Sequence, residues 1–206
     1  MDGDNAVRTL ALNEHAEAWF PGRRAALPHD GLLPFPLLPR RMFTWVMPRE
    51  AEMQPLHGVG CITVHHSGFP EPFLTTDLKE TADYLENIRQ FHTGSGPGQR
   101  GWADIGYHFA VDLAGRVWQL RSMNYQGAHV KNHNADNLGI VALGNFDLQK
   151  PTHLQLTTLH QFLDWLVIIY ALQRGSVFAH ATLADQPTNC PGRLLQVALA
   201  QWPISQ

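Results

Sequence analysis

The stretch Gly58-Val59-Gly60-Cys61-Ile62-Thr63-Val64-His65-His66-Ser67 is apolar and partly β-branched until it meets a pair of imidazoles. That pattern fits a buried strand delivering a polar side chain at its C-terminal end. Neighbouring side chains on a strand point to opposite faces, so only one of His65 and His66 faces a given site. His65 is read as the one at the site, with His66 as a neighbour or a donor behind it. Far downstream the chain offers His180, followed by Thr188-Asn189-Cys190-Pro191-Gly192. Two imidazoles and a thiolate suit zinc, and three protein ligands leave a fourth tetrahedral position for a water that the metal can acidify. Read from the residues alone, this is a hydrolase site.

The elements around these segments interleave. Asp77-Leu78-Lys79-Glu80 starts a helix whose face carries Leu78, Ala82, Leu85, Ile88 and Phe91 and which ends near Gly94. Tyr107 to Leu120 reads as a hairpin, because Tyr107, Phe109 and Val111 alternate with His108, Ala110 and Asp112 before the turn at Ala114-Gly115. Gly139 to Gly144 is a second buried strand. Thr152-His153-Leu154-Gln155 opens a long helix with Leu156, Leu159, Leu163, Leu166 and Tyr170 inward and Gly175 as its stop. Ser176 to Ala179 is a short strand carrying His180, and Gly192 to Trp202 is a closing helix with Leu195, Leu199 and Trp202 inward. The expected class is α/β, one domain with a central mixed sheet flanked by helices. Residues 1–55 are rich in Pro, Arg and Leu, with Pro34, Pro36 and Pro39 breaking any period, and read as an extension packed on the domain at 56–206.

Composition narrows the function. A chain of 206 residues suffices for one buried core and is short for two. A formal charge of -3 offers no basic field for holding phosphates, which argues against a nucleic-acid partner. No stretch approaches a membrane span, and Met1 to Asp30 lacks the basic start and apolar run of a secretory signal. Synthesis in the cytoplasm is expected, with monomer as the default state. With 2 cysteines a disulfide framework is excluded, and Cys61 reads as a small buried hydrophobe.

Each candidate ligand also has a plain structural reading. Among 12 histidines most are not ligands. His180 at the end of an apolar strand fits a satisfied core histidine as well as a ligand, and Cys190 shifts the balance, since its loop begins just after the strand that bears His180. Without a metal, Cys190 is an inert thiol near a helix start. A zinc that only braces the fold needs a fourth protein ligand, for which His66 and His129 are the candidates.

The order His65-His66-Ser67, Gly101-Trp102-Ala103-Asp104-Ile105-Gly106-Tyr107-His108-Phe109, Gly127-Ala128-His129, Asn134, Gly139-Ile140, Gly144-Asn145-Phe146-Asp147 and Thr188-Asn189-Cys190-Pro191-Gly192 resembles the peptidoglycan recognition protein and type 2 N-acetylmuramoyl-L-alanine amidase family. The resemblance runs from about Gly58 to Trp202. It implies a zinc amidase of bacterial peptidoglycan, endolysin-like, cutting the amide between the lactyl group of N-acetylmuramic acid and L-alanine. In such an enzyme His65, His180 and Cys190 fall on the zinc ligands, Tyr107 on the catalytic tyrosine and Thr188 on a residue that stabilises the reacting oxygen. His129 and Asn134 fall on groove positions, or they only cap local turns. Trp102 reads as packing beside the groove, and His66 as a substrate-side neighbour. Without a visible signal, such an enzyme would reach the wall by release or export.

Two departures stand out. Many relatives follow the second histidine with Arg-Asp, whereas here His180-Ala181-Thr182 supplies no carboxylate, leaving Asp185 or no group at all in that role. The interval from His180 to Cys190 is also about two residues longer than usual, which a loop absorbs at small entropic cost. Zinc with two neutral imidazoles and one thiolate keeps a positive charge and can bring the pKa of a bound water toward about 7. The developing oxyanion would then meet the Tyr107 and Thr188 hydroxyls, and the leaving amine needs a proton for which His66 and His129 are candidate relays. Two other functions fit the same resemblance, namely a binding module without turnover and a recycling amidase acting on soluble anhydro-muropeptides. Relatives of the first kind typically lack the cysteine, and those of the second usually carry Asp in its place.

Overall fold

The computed structural model describes residues 33–202. Among these residues six strands form one mixed sheet: β1 (Leu37–Leu38), β2 (Cys61–His66), β3 (Phe109–Val111), β4 (Val117–Gln119), β5 (Asn137–Ala142) and β6 (Val177–Ala179), in the order β1-β4-β3-β5-β2-β6. β2 lies between β5 and β6 and runs parallel to both, β3 is parallel to β5, and only the β3–β4 hairpin is antiparallel. The hairpin turn is built by Asp112, whose Oδ1 accepts the backbone N–H of Ala114 and Arg116 at 3.0 and 2.9 Å. Parallel central strands require both faces to be covered, and both are.

The pleat sorts side chains between two cores. Ile62, Val64, Phe109, Val111, Ile140 and Ala142 face the long helix α2 (His153–Ile169), with Leu159, Phe162, Leu163 and Leu166 packed on them. Ala110, Trp118 and Val141 face α1 (Leu78–Thr93) through Leu85 and Ile88. Both helices start where the capping residues place them. The Asp77 side chain accepts from the Glu80 N–H and Thr152 from the Gln155 N–H, each satisfying an orphan donor of the first turn. Gln155 itself is buried, and its amide donates to the carbonyls of Val111 and Leu143 at 3.0 Å each, tying α2 to the ends of two strands.

The elements differ from the sequence expectation in a few places. α2 ends at Ile169 and not at Gly175, because Ala171 adopts a left-handed φ of 51° while the Leu172 N–H closes on the Val167 carbonyl at 2.9 Å. β5 starts two residues before Gly139. The closing helix is α4 (Arg193–Ala200), and His180 opens a one-turn helix, α3 (His180–Leu183), immediately after β6. Of the N-terminal extension, residues 1–32 lie outside the described residues. Within its remainder, Leu33, Phe35 and Leu37 join the core, and β1 is an edge strand paired in parallel with β4. No helix among the described residues is long and apolar enough to cross a membrane.

Candidate functional site

Strand parity decides which histidine of the pair meets the site. His65 is in register with Val141 and shares its face, on the α1 side, where it is 1% exposed. His66 turns to the other face, stacks against Phe146 at 6.3 Å between ring centroids, and accepts the Phe146 N–H on Nδ1 at 3.3 Å. β6 ends beside β2, so His180 arrives next to His65 with 4.4 Å between their ring centroids. The loop after α3 folds back, with the Ala181 N–H donating to the Cys190 carbonyl at 2.7 Å. Cys190 Sγ accepts the His66 backbone N–H at 3.4 Å and lies 3.5 Å from His65 Nδ1. The ligand atoms of His65, His180 and Cys190 all lie within 4.8 Å of one another.

These three groups fit a tetrahedral zinc. Bond lengths of about 2.0–2.1 Å to nitrogen and about 2.3 Å to sulfur, at tetrahedral angles, put N and S about 3.5 Å apart. The observed His65–Cys190 separation is 3.5 Å. His180 Nδ1 is buried and has no hydrogen-bond partner. A buried lone pair without a partner is costly in an ordinary core and is accounted for when a cation takes it. Burial holds the His65 and His180 imidazoles below their usual pKa, so both keep lone pairs at neutral pH. Burial also pushes the Cys190 thiol up to about 12, a desolvation cost that a divalent cation reverses by binding the thiolate. Neither candidate for a fourth protein ligand is in place. His66 Nδ1 is occupied by Phe146, and the ring nitrogens of His129 lie 3.1 Å from His65 Nε2 and 3.2 Å from the Asn137 carbonyl. Among the described residues, three ligand atoms converge.

Around this cluster is a cavity of about 280 Å³, which adjoins an outer groove of about 590 Å³; Arg100, Trp102, His129, His180 and Thr188 line both. Tyr107 stands in the inner cavity with its ring 5.1 Å from that of His65. Burial and the neighbouring Cys190 raise the phenol pKa, so its hydroxyl stays protonated as a donor. Thr188 Oγ1 accepts the Cys190 N–H at 3.2 Å, which leaves the hydroxyl hydrogen for another acceptor. No carboxylate among the described residues lines the inner cavity.

The remaining sequence candidates are placed as follows. Asn134 lines the outer groove, and its Oδ1 accepts the N–H groups of His129 and Val130 at 3.0 Å each, so it also caps that turn. Trp102 packs on His92 at 4.7 Å between ring centroids and forms a wall common to both cavities. Asp185 does not stand behind His180; its carboxylate accepts from Asn132 Nδ2 at 2.9 Å and pairs with His133 Nε2 at 2.8 Å. Two groups went unnoticed in the sequence. His92 lines the inner cavity and accepts the Gly106 N–H on Nδ1 at 3.0 Å. Arg100 sits over the rings of Phe91 and Trp102 at 5.6 and 5.8 Å. The one signal for Arg100 was its place directly before Gly101-Trp102, and the only signal for His92 was its place at the end of α1.

The family model for N-acetylmuramoyl-L-alanine amidase matches residues 56–193, the span that carries every one of these groups. The chain belongs to the type 2 amidase and peptidoglycan recognition protein family. A curated human relative, N-acetylmuramoyl-L-alanine amidase, is 31% identical over 147 residues, 70% of this chain and 24% of the relative. This amidase-family chain therefore spans about a quarter of that relative's length. Among solved structures, amidase LysC from Clostridium intestinale superposes with a TM-score of 0.59 at 26% identity, covering 80% of this chain and 95% of that one. Peptidoglycan recognition protein-LE, solved in complex with tracheal cytotoxin, superposes with a TM-score of 0.69 at 25% identity over 81% of this chain and 94% of its own. The family thus includes proteins named for cleaving peptidoglycan and proteins named for recognising it.

Proposed function

We propose that this chain is a zinc-dependent N-acetylmuramoyl-L-alanine amidase of bacterial peptidoglycan, with residues 56–206 as the enzyme domain and residues 1–55 as an extension of it. The observation that carries the reading is the convergence of His65, His180 and Cys190 with a buried, unpartnered His180 Nδ1 among them. A recognition module has no need of a desolvated thiol beside two neutral imidazoles.

In this reading His65, His180 and Cys190 hold zinc, which when bound supplies an acidified water and polarises the amide carbonyl. The inner cavity has no carboxylate among the described residues that line it, so none of these side chains is a carboxylate base. Tyr107 and Thr188 donate hydrogen bonds to the oxygen that gains charge as the amide carbon becomes tetrahedral. His66, Trp102, His129 and Asn134 border the space that positions the sugar-peptide junction, and Trp102 supplies an apolar wall. Phe69 and Phe91 line the inner cavity and add apolar surface beside the reacting bond.

The test uses purified sacculi and the zinc-loaded protein. Release of peptides with free L-alanine amino termini, abolished by chelator and by Cys190→Ala, is the expected result. Retained binding to sacculi without any release by the zinc-loaded wild type would assign the chain to the recognition modules instead.

A further inference from the structure

We propose that His129 is a positioning residue that fixes the tautomer and orientation of His65, so that His65 presents Nδ1 and not Nε2 to the metal site. Three groups are linked in a chain, the Asn137 carbonyl, the His129 ring and the His65 ring. His129 Nε2 is 3.2 Å from the Asn137 oxygen, and a carbonyl only accepts, so Nε2 carries the hydrogen. A neutral imidazole with its hydrogen on Nε2 has its lone pair on Nδ1. That Nδ1 is 3.1 Å from His65 Nε2. Facing that lone pair, His65 must donate from Nε2, and its own lone pair is then at Nδ1, the atom 3.5 Å from Cys190 Sγ. The reverse assignment would set two lone pairs against each other at the Asn137 carbonyl and waste a buried donor.

The backbone is shaped to admit this ring. Gly139 is in register with Thr63, two residues before His65 on the same face of β2. A Cβ on Gly139 would lie 2.5 Å from His129 Cδ2, and one on Gly127 would lie 2.3 Å from the same atom. The His129 ring thus occupies, on the α1 face of the sheet, the place a side chain at Gly139 would take. From the other side, Asn134 accepts the His129 and Val130 N–H groups and fixes the loop that carries the ring. Outer partners of metal-bound imidazoles set tautomer and ring angle in just this way. The wiring also uses the only ring hydrogen of His129 on Asn137, so His129 has none to pass to a leaving amine and no free lone pair for the metal.

The inference rests on the zinc reading for its consequence, but the tautomer itself can be read without metal. In zinc-free, chelator-treated protein at pH 7.5, long-range proton–nitrogen correlation spectra are expected to show both His65 and His129 protonated at Nε2, with His65 assigned through His65→Asn. His129→Phe keeps a ring and removes both nitrogens; it should leave His65 as a mixture of tautomers and lower zinc affinity, measured by competition with a chromophoric chelator, about 10- to 100-fold. His129→Gln, whose amide offers an acceptor and a donor together, should recover part of that loss. A wild-type His65 protonated at Nδ1 overturns the proposal, as does a folded His129→Phe with unchanged zinc affinity. Should His129→Phe fail to fold, the wild-type spectrum alone decides. A wild type that shows the Nε2 tautomers but binds no zinc would defeat the proposed function and leave the tautomer assignment standing.

Discussion

His65 Nδ1 and Cys190 Sγ, from residues 125 positions apart in the chain, lie 3.5 Å from each other. The sheet holds His65 through β2, whereas Cys190 depends on a loop whose exit is controlled by Gly192. That glycine has φ 85°, and a Cβ there would lie 2.7 Å from the Phe146 carbonyl carbon and 3.0 Å from His66 Nδ1. Neither neighbour is the end of a flexible side chain, so the loop itself must move. Gly192→Ala is expected to destabilise the zinc-free protein by about 1–2 kcal/mol from the left-handed backbone alone. It should also weaken zinc binding by pulling the sulfur off its position. Urea unfolding and a chelator-competition titration check the two effects, and a variant unchanged in both would show that the loop has slack the packing does not suggest.

Tyr107 touches the site through its ring and its hydroxyl, and these can be separated. Tyr107→Phe keeps the packing against His65, 5.1 Å away between ring centroids, and removes only the donor. The expected outcome is a fall in kcat of about 10²- to 10³-fold, the usual cost of one oxyanion donor, with zinc affinity and thermal stability close to wild type. An equal loss of zinc would make the tyrosine a structural support of the metal site and not a donor to the reacting oxygen.

Much of this arrangement was legible in the sequence because its signals are local. The β-branched run before His65, the caps Asp77 and Thr152, and the Asp112–Gly115 turn each act within a few residues, and the structure places elements there. β1 was not legible, since two residues between prolines carry no period and their pairing is decided by β4 far along the chain. The end of α2 was missed because Ala171, not a glycine, takes the left-handed conformation. Within the site, residue types at long separation pointed to the cluster of His65, His180 and Cys190. The contact of His129 with His65 was hidden, because it depends on two glycines, Gly127 and Gly139, leaving room for a ring from a third segment.

Asp185 was a candidate for a carboxylate supporting His180, and its geometry argues for another role. It bridges the loop after α3 to Asn132 and His133 at 2.9 and 2.8 Å, on the rim of the outer groove. Those partners, His133 and Asn132 in that order, hold its carboxyl below the ordinary carboxylate range. The side chains of His133 and Asp185 are 39% and 45% exposed, so solvent screens the pair. Asp185→Ala is therefore expected to leave zinc affinity unchanged while raising the KM for large muropeptides as the rim loosens. A drop in zinc affinity comparable to that of His129→Phe would return Asp185 to the role of a group behind a metal ligand.

The buried imidazoles make stability depend on pH with a defined sign. His108 is fully buried, donating from Nε2 to the Tyr125 carbonyl and accepting the Gly139 N–H on Nδ1, and burial lowers its pKa to about 4. Burial, with the charges of Arg100 and Arg121, lowers that of His92 to about 3. In the unfolded chain both titrate near the ordinary value of about 6.5. Above that pH neither state binds the proton and the folded protein loses nothing. As pH falls below it the unfolded chain takes up protons that the folded chain refuses, and stability declines until the folded values are reached. For His108 the loss integrates to on the order of 3 kcal/mol. Zinc-free protein should thus show a urea midpoint that is flat from pH 8 to 7 and falls steadily from about 6.5 toward 4. His108→Gln, which removes one titrating group and retains a donor and an acceptor, should make that decline shallower by about one proton. An identical slope in the variant would mean that His108 takes up its proton without unfolding the core.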